Sequence, residues 1–416
     1  MKKKYRIILY TSIFLLCVVA SIILVVKKSN SVYEEESKPK VVKHKSMLSM
    51  NLEQTAGAGD YKTVTQSKWP TEGYKFNAEL SRCENGSTLS WDDTKKAVIV
   101  SGNLSDKCYV YFDIYQPTLA EYIKSQYTGT QGENNIYYHD SDLANGAGDN
   151  SYRYAGANPN NFVCFGSDTS PCPTDNLYRI IGVFGENYHG VTGKQLVKLI
   201  KYDYMTTDEL GTDGDYSQTY GDGERIGVYY WNYKATGSST NTWSTSLLNK
   251  TNLNTNFINY LGTTWANKIA TVTWKVGGNT WANIGAKTSS VAYTNEITNP
   301  VTTNTTDNAT TYSAKIGLMY VSDYGFAASP DAWTLTMSSY NNTTATNNNW
   351  MYMGLYEWTI SRNADISDRA FFVFDDGRVI DDYVYSNRGV RASFSLESSV
   401  SYVSGSGSMS DPIVIN

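Results

Sequence analysis

The strongest pattern along the chain is an unbroken apolar run, Ile7–Val26, with Lys2, Lys3, Lys4 and Arg6 before it and Lys27 and Lys28 after it. At ~1.5 Å per helical residue its ~20 residues span ~30 Å, the thickness of a bilayer core. The basic leader predicts a cytoplasmic N-terminus. The run therefore reads as an uncleaved, single-pass signal anchor, with residues 1–6 inside the cell and the C-terminal domain outside. A cleaved signal peptide is the competing reading, with Val18-Val19-Ala20 as its site, but the apolar stretch continues through Ile22–Val26. Residues 27–50 then turn polar, with Glu34-Glu35-Glu36 and Pro39, and read as a stalk.

Beyond the stalk the pattern is mostly that of short strands. Residues 51–113 predict a small β module, in which Val98–Val100 and Tyr109–Phe112 are bounded by turns at Asn85-Gly86 and Gly102-Asn103. Gln116–Tyr127 predicts one helix, with a capping box at Thr118 and Glu121 and an apolar stripe of Leu119, Tyr122 and Ile123. Residues 128–176 read as loops and hairpins. Leu177–Phe184 and Leu196–Ile200 read as buried strands joined by a hairpin turn at Gly190 and Gly193. Leu247–Leu261 is the second predicted helix, and 299–313 an exposed Asn/Thr loop. Strands are expected at Ile316–Val321 and Trp358–Ser361. A terminal hairpin follows, Phe371–Phe374 and Val379–Tyr385 around Asp375-Asp376-Gly377, and Val390–Leu396 closes the sheet. The predicted class is α+β and β-rich, with residues 114–416 as one large domain.

Composition supports an exported protein. Charged residues make up 18% of the chain, below the usual ~25%. Asn, Thr, Ser, Gly and 34 Tyr replace them, giving a surface wetted by amides and hydroxyls. Six of the 35 basic residues and none of the 40 acidic ones fall in the first 28 positions, so the remainder is acidic. That argues against phosphate-backbone binding, and no nucleic-acid partner is expected. Cys17 lies in the anchor. Cys83, Cys108, Cys164 and Cys172 form an even set suited to an oxidising compartment, and order and spacing favour Cys83–Cys108 and Cys164–Cys172 among the three connectivities.

Catalytic and metal-binding patterns are missing. There is no C-x-x-C, H-E-x-x-H, G-x-S-x-G or P-loop, and His44, His139 and His189 are scattered, the last two reading as loop residues. Asp213-Gly-Asp215 with Asp222-Gly223 departs from a calcium loop and reads as a solvated acidic turn. Asp375, Asp376, Asp381 and Asp382 flank a hairpin. A glycosidase needs two carboxylates placed ~5 Å apart, whereas turn preference already accounts for most of these. No catalytic residue, metal or cofactor is assigned.

Several strings resemble a family. In order they are DNLYRIIGVF (175–184), VKLIKYD (197–203), KIGLMYVSDYGFA (315–327), YEWTISR (356–362) and GVRASFSL (389–396). They look like the uncharacterised surface proteins of gut Firmicutes and Mollicutes relatives. The C-terminal domain of those proteins is similar to the C-type-lectin-like fold shared with formylglycine-generating-enzyme-like domains and retroelement-diversified receptors. Residues 81–113 resemble the small β module that precedes it. The resemblance implies a twisted sheet closed by the ends of the domain, displaying a ligand-binding hairpin face at 363–388. Calcium-dependent sugar binding is not implied, because the E-P-N, Q-P-D and W-N-D signatures are missing and Trp231-Asn232-Tyr233 is the nearest string. Oxidase chemistry is excluded, because no cysteine follows Cys172.

The resulting expectation is a membrane-anchored extracellular recognition or adhesion protein. Its partners are an extracellular protein or glycan ligand and, through residues 7–26, the lipid bilayer. Arg362, Asp365, Arg369, Arg378, Tyr383, Tyr385 and Asn387 are the expected contact residues, since Tyr and Arg supply area and directed donors at modest entropic cost. Membership among retroelement-diversified receptors would place targeted variation in 363–388. The alternatives are a structural subunit of the cell envelope and, below it, a carboxylate-based glycan hydrolase.

Overall fold

The computed structural model describes residues 48–65, 73–103, 105–213, 228–302 and 309–416. The expected leader, the anchor at 7–26 and all but the end of the stalk lie outside the described residues. Among those described, no helix is long and apolar enough to cross a membrane. The chain is a strand-rich α+β protein of two compact units, one ending at Tyr115 and one running from Gln116 to Asn416.

In the first unit the central strand is Cys108–Ile114. It pairs in parallel with Leu48–Glu53 and antiparallel with Tyr74–Phe76 and Arg82–Cys83. The sheet begins at Leu48, inside the expected stalk, because Met50 and Leu52 alternate with polar neighbours and pack on Val110 and Phe112. Cys83–Cys108 ties adjacent strands of this small core. The Asn85-Gly86 turn is clamped by Asp106, whose carboxylate accepts the amides of Asn85 and Ser87 at 2.9 and 3.1 Å.

The second unit is built on an antiparallel sheet. Its order is Ile316–Gly317, Ser393–Ser395, Leu196–Lys201, Leu177–Phe184, Ser151–Tyr154 and Ile136–His139, with Phe162–Cys164 also on Leu177–Phe184. Leu177–Phe184 and Leu196–Lys201 are buried at every position, Arg179, Lys198 and Lys201 included. The ends of the unit meet: Leu119 N–H donates to Val400 O at 2.8 Å, Tyr402 N–H to Pro117 O at 2.9 Å, and the Tyr122 and Tyr402 rings stack at 3.7 Å. The helix Leu119–Ser125 carries the capping box of Thr118 and Glu121. Cys164 is bonded to Cys172.

Several elements differ from the sequence expectation. A short helix, Glu186–His189, precedes the turn expected to be a simple hairpin. The second helix has wide π turns over Leu248–Phe257, then α turns over Ile258–Ala266. There Asn252 and Asn256 donate to Leu210 O and Asn254 to Ile316 O, so its polar residues fasten neighbouring loops. Part of the 299–313 tract is a strand, Thr311–Ala314, paired with Val272–Lys275. The strand expected at Ile316–Val321 stops at Gly317, and Val321–Ala327 is a fully buried helix. His139 and His189 are buried, not in open loops: His139 Nδ1 accepts the Ala147 amide at 3.1 Å and burial holds its pKa well below the ordinary range.

Several charges inside the buried strands are paired, whereas Arg179 donates to Asn161 Oδ1 at 2.7 Å and to the Trp350 and Pro159 carbonyls. Asp323 accepts from Lys198 Nζ at 2.7 Å and Tyr188 Oη at 2.7 Å, with Arg153 Nη1 3.7 Å away. Arg153 also meets Asp149 at 2.7 Å and lies over Phe184 and Phe326. Lys201 pairs with Glu209, and Arg391 with Glu357, each at 2.8 Å. Removing one partner strands a buried charge. Asp323→Ala is expected to lower the unfolding free energy by about 3–5 kcal/mol, read as a fall in the urea midpoint. A midpoint that does not move shows that the cluster is not integral to the core.

Candidate ligand-contact face

A second sheet of this unit carries the expected contact segment. Its order is Val228–Tyr230, Asn387–Gly389, Glu357–Arg362, Arg369–Val373 and Val379–Tyr383. Glu357–Arg362 and Arg369–Val373 are almost wholly buried, with Trp358, Ile360, Phe371 and Phe372 in the core. The Asp375-Asp376-Gly377 turn needs its glycine: φ is +94°, and a Cβ would lie 2.5 Å from Thr346 Cγ2 and 2.9 Å from Tyr340 O. Val379–Tyr383 is the outer strand. After it the chain plugs Val384 into the core and turns into Asn387–Gly389.

The seven expected contact residues separate into three groups. Arg362 is buried, a correction to its expected role: its Nε donates to Val276 O at 3.1 Å, its carbonyl accepts the Asn279 amide at 3.0 Å, and burial pushes its pKa down to about 10. It fastens the 276–279 loop because the last position of a doubly covered strand faces inward. Asp365 is exposed in the 363–368 loop, where its amide donates to Asn363 Oδ1 at 2.8 Å. Arg378 is half-exposed, 3.2 Å from Asp376 and over the Phe374 ring.

Among the remaining residues, Tyr383, Tyr385 and Arg369 lie together. Tyr383 and Tyr385 stack with centroids 5.0 Å apart and planes 15° apart, and both are exposed, at 37% and 43%. Arg369 lies 4.5 Å from the Tyr383 centroid and 3.5 Å from Asp381. Asn387 is half-buried opposite Tyr230. The sequence reading missed Tyr230 and Tyr233, which stack at 4.8 Å, and Asn232, whose amide donates to Val384 O at 2.9 Å and so brings that strand end to the ribbon. It also missed Arg388, which bonds Asp382 and spans Tyr356 and Phe372. Tyr density was the only available signal. Trp231 itself is buried and donates to Thr359 O at 3.0 Å.

The carboxylates here are mostly committed. Asp381 accepts from Asn363 Nδ2 at 3.0 Å, Asp382 pairs with Arg388 and Asp376 with Arg378. Of the acidic residues in the expected solvated turn, Asp213, Asp215 and Asp222, only Asp213 is described, and its carbonyl accepts from Asn252. One group of potential metal ligands occurs among the described residues, Cys83, Asp106 and Cys108, but both sulfurs are in the disulfide and offer no thiolate. No family model matches this chain, and no curated protein or solved structure matches it either.

Behind the face, Glu296 braces the Glu357–Arg362 strand. It accepts the Ser361 hydroxyl and the amides of Val321 and Ser322, both at 3.1 Å. Burial raises its pKa from 4.5 to about 7, against the lowering effect of the Ser322 and Ser361 hydrogen bonds. The folded state thus holds the proton more tightly than the unfolded chain. The stability from this group is full below pH 4.5 and is lost as pH rises through about 7. The unfolding free energy of the native chain minus that of Glu296→Gln is expected to decline across this window and level off on both sides. A difference that stays flat from pH 4.5 to 7 contradicts it.

Proposed function

We propose that this chain is a membrane-anchored extracellular recognition protein, held to the bilayer by residues 7–26 and displaying the 363–388 ribbon on a C-type-lectin-like scaffold. The observation that carries the reading is the stacked, exposed pair Tyr383–Tyr385 with Arg369 beside it. Two large rings stacked at a strand end present contact area at modest entropic cost, which is a property of binding surfaces. The meeting of the unit's ends, through Leu119–Val400 and Tyr122–Tyr402, supports a scaffold of the resembling kind. The two disulfides suit an oxidising compartment. Recognition is favoured over hydrolysis because Asp376, Asp381 and Asp382 are each taken up by an arginine.

The test is capture of fluorescent full-length chain on arrays of extracellular proteins and glycans. The double variant Tyr383→Ala/Tyr385→Ala is expected to lose at least tenfold in capture while its unfolding midpoint stays native, because both rings are exposed. Undiminished capture removes the ribbon from the recognition surface.

A further inference from the structure

We infer that a cleft beside the Asn387–Gly389 strand binds one neutral pyranose residue of a glycan. The inference deepens the recognition reading, because Asp375, Asn387 and Arg388 belong to the same 363–388 ribbon. The cleft encloses about 200 Å³. That is below the ~300–1,000 Å³ of sites for drug-sized ligands, and suits one six-membered ring with its substituents.

Its walls are aromatic. Tyr204 packs close against Gly389, where a Cβ would stand 2.6 Å from its Cδ1 and Cε1. Tyr356 forms another side, with the Arg388 guanidinium 5.0 Å from its centroid. Such faces accept the C–H side of a sugar ring, while its hydroxyls must find polar partners.

The polar groups are mixed donors and acceptors. Tyr204 is 7% exposed, and its hydroxyl has no hydrogen-bond partner among the described residues. Burial pushes its pKa well above the ordinary range, so it stays a phenol able to donate and accept. Arg388 Nε is likewise buried without a hydrogen-bond partner among the described residues. Asn387 adds an amide, and the exposed Asp375 adds a carboxylate. Buried polar groups left unmatched are costly, and both of these belong to residues that line the cleft.

Charge selects among polar ligands. Arg388 already spends its charge on Asp382, and Asp375 repels an anion. A cationic side chain would suit Asp375 but would sit beside Arg388 and bring no acceptor for Arg388 Nε or the Asn387 amide. Hydroxyls on an uncharged ring supply both donors and acceptors in this volume.

The experiment titrates the full chain, in a detergent without a sugar headgroup, with methyl glycosides of glucose, galactose, mannose and N-acetylglucosamine. Binding is followed by saturation-transfer NMR and calorimetry. At least one glycoside is expected to bind saturably at millimolar concentration. Tyr204→Phe and Asp375→Asn are each expected to weaken it at least fivefold. Tyr204→Phe removes only an unpartnered hydroxyl, so its unfolding midpoint is expected to be native or higher. The cleft assignment is overturned by no saturable glycoside, by affinities that neither substitution changes, or by saturation with Nα-acetyl-lysine methylamide in place of a glycoside. Any of these alongside array capture that still depends on Tyr383 and Tyr385 overturns the cleft alone. Glycoside binding alongside capture indifferent to those tyrosines overturns the ribbon reading alone.

Discussion

The larger unit depends on a buried set of charges that must be matched. Lys198 and Arg153 lie on neighbouring regions of one sheet, and Asp323 enters from a buried helix to meet both. In a low-dielectric interior an unpaired ammonium or guanidinium is far more costly than a lost apolar contact. The sheet, the Val321–Ala327 helix and the Asp149 loop therefore have to arrive together. Tyr188 completes the set by donating to Asp323 while accepting from Lys198 at 2.7 Å. Fixing that helix also fixes the second sheet, because Glu296 bonds its first amides and Ser361 at once.

The second sheet is in turn the frame for the ribbon. The arginines on its inner strands are drawn either into a core bond, as with Arg362, or onto an aromatic and a carboxylate, as with Arg369 and Arg388. Tyr383 at the end of the outer strand and Tyr385 in the bend beyond it are exposed and flank the buried Val384. Stacked rings at one edge and a small cleft beside Asn387–Gly389 share this frame. The edge offers area and the cleft offers directed polar groups.

Much of the fold was legible locally. Mostly apolar runs marked Leu177–Phe184 and Leu196–Ile200, and side-chain chemistry marked the Thr118 capping box and the Asp375-Asp376-Gly377 turn. Ile316–Val321 misled because its β-branched and aromatic residues suit a strand, whereas the helix after it is set by where Asp323 must go. The Asn-rich 248–257 helix carried a weak helical pattern because its amides serve neighbouring carbonyls instead of an apolar face. For the contact face, residue type pointed to Tyr383 and Tyr385 correctly as exposed rings, but placed Arg362 with them.

The order of charge and hydrophobicity along the chain determined its class: strand-rich, cysteine-bridged and acidic beyond a basic, apolar leader. These are properties of near neighbours in sequence, set by side-chain alternation, turn chemistry and loop length. Tertiary structure alone decided which polar residues face solvent. Arg362 and Arg369 are alike on paper, yet one faces the Val276 carbonyl and the other a surface tyrosine, because what covers a strand comes from distant segments. The cleft has the same origin: Tyr204, Tyr356 and Arg388 meet only because strands far apart in the chain pair across Gly389.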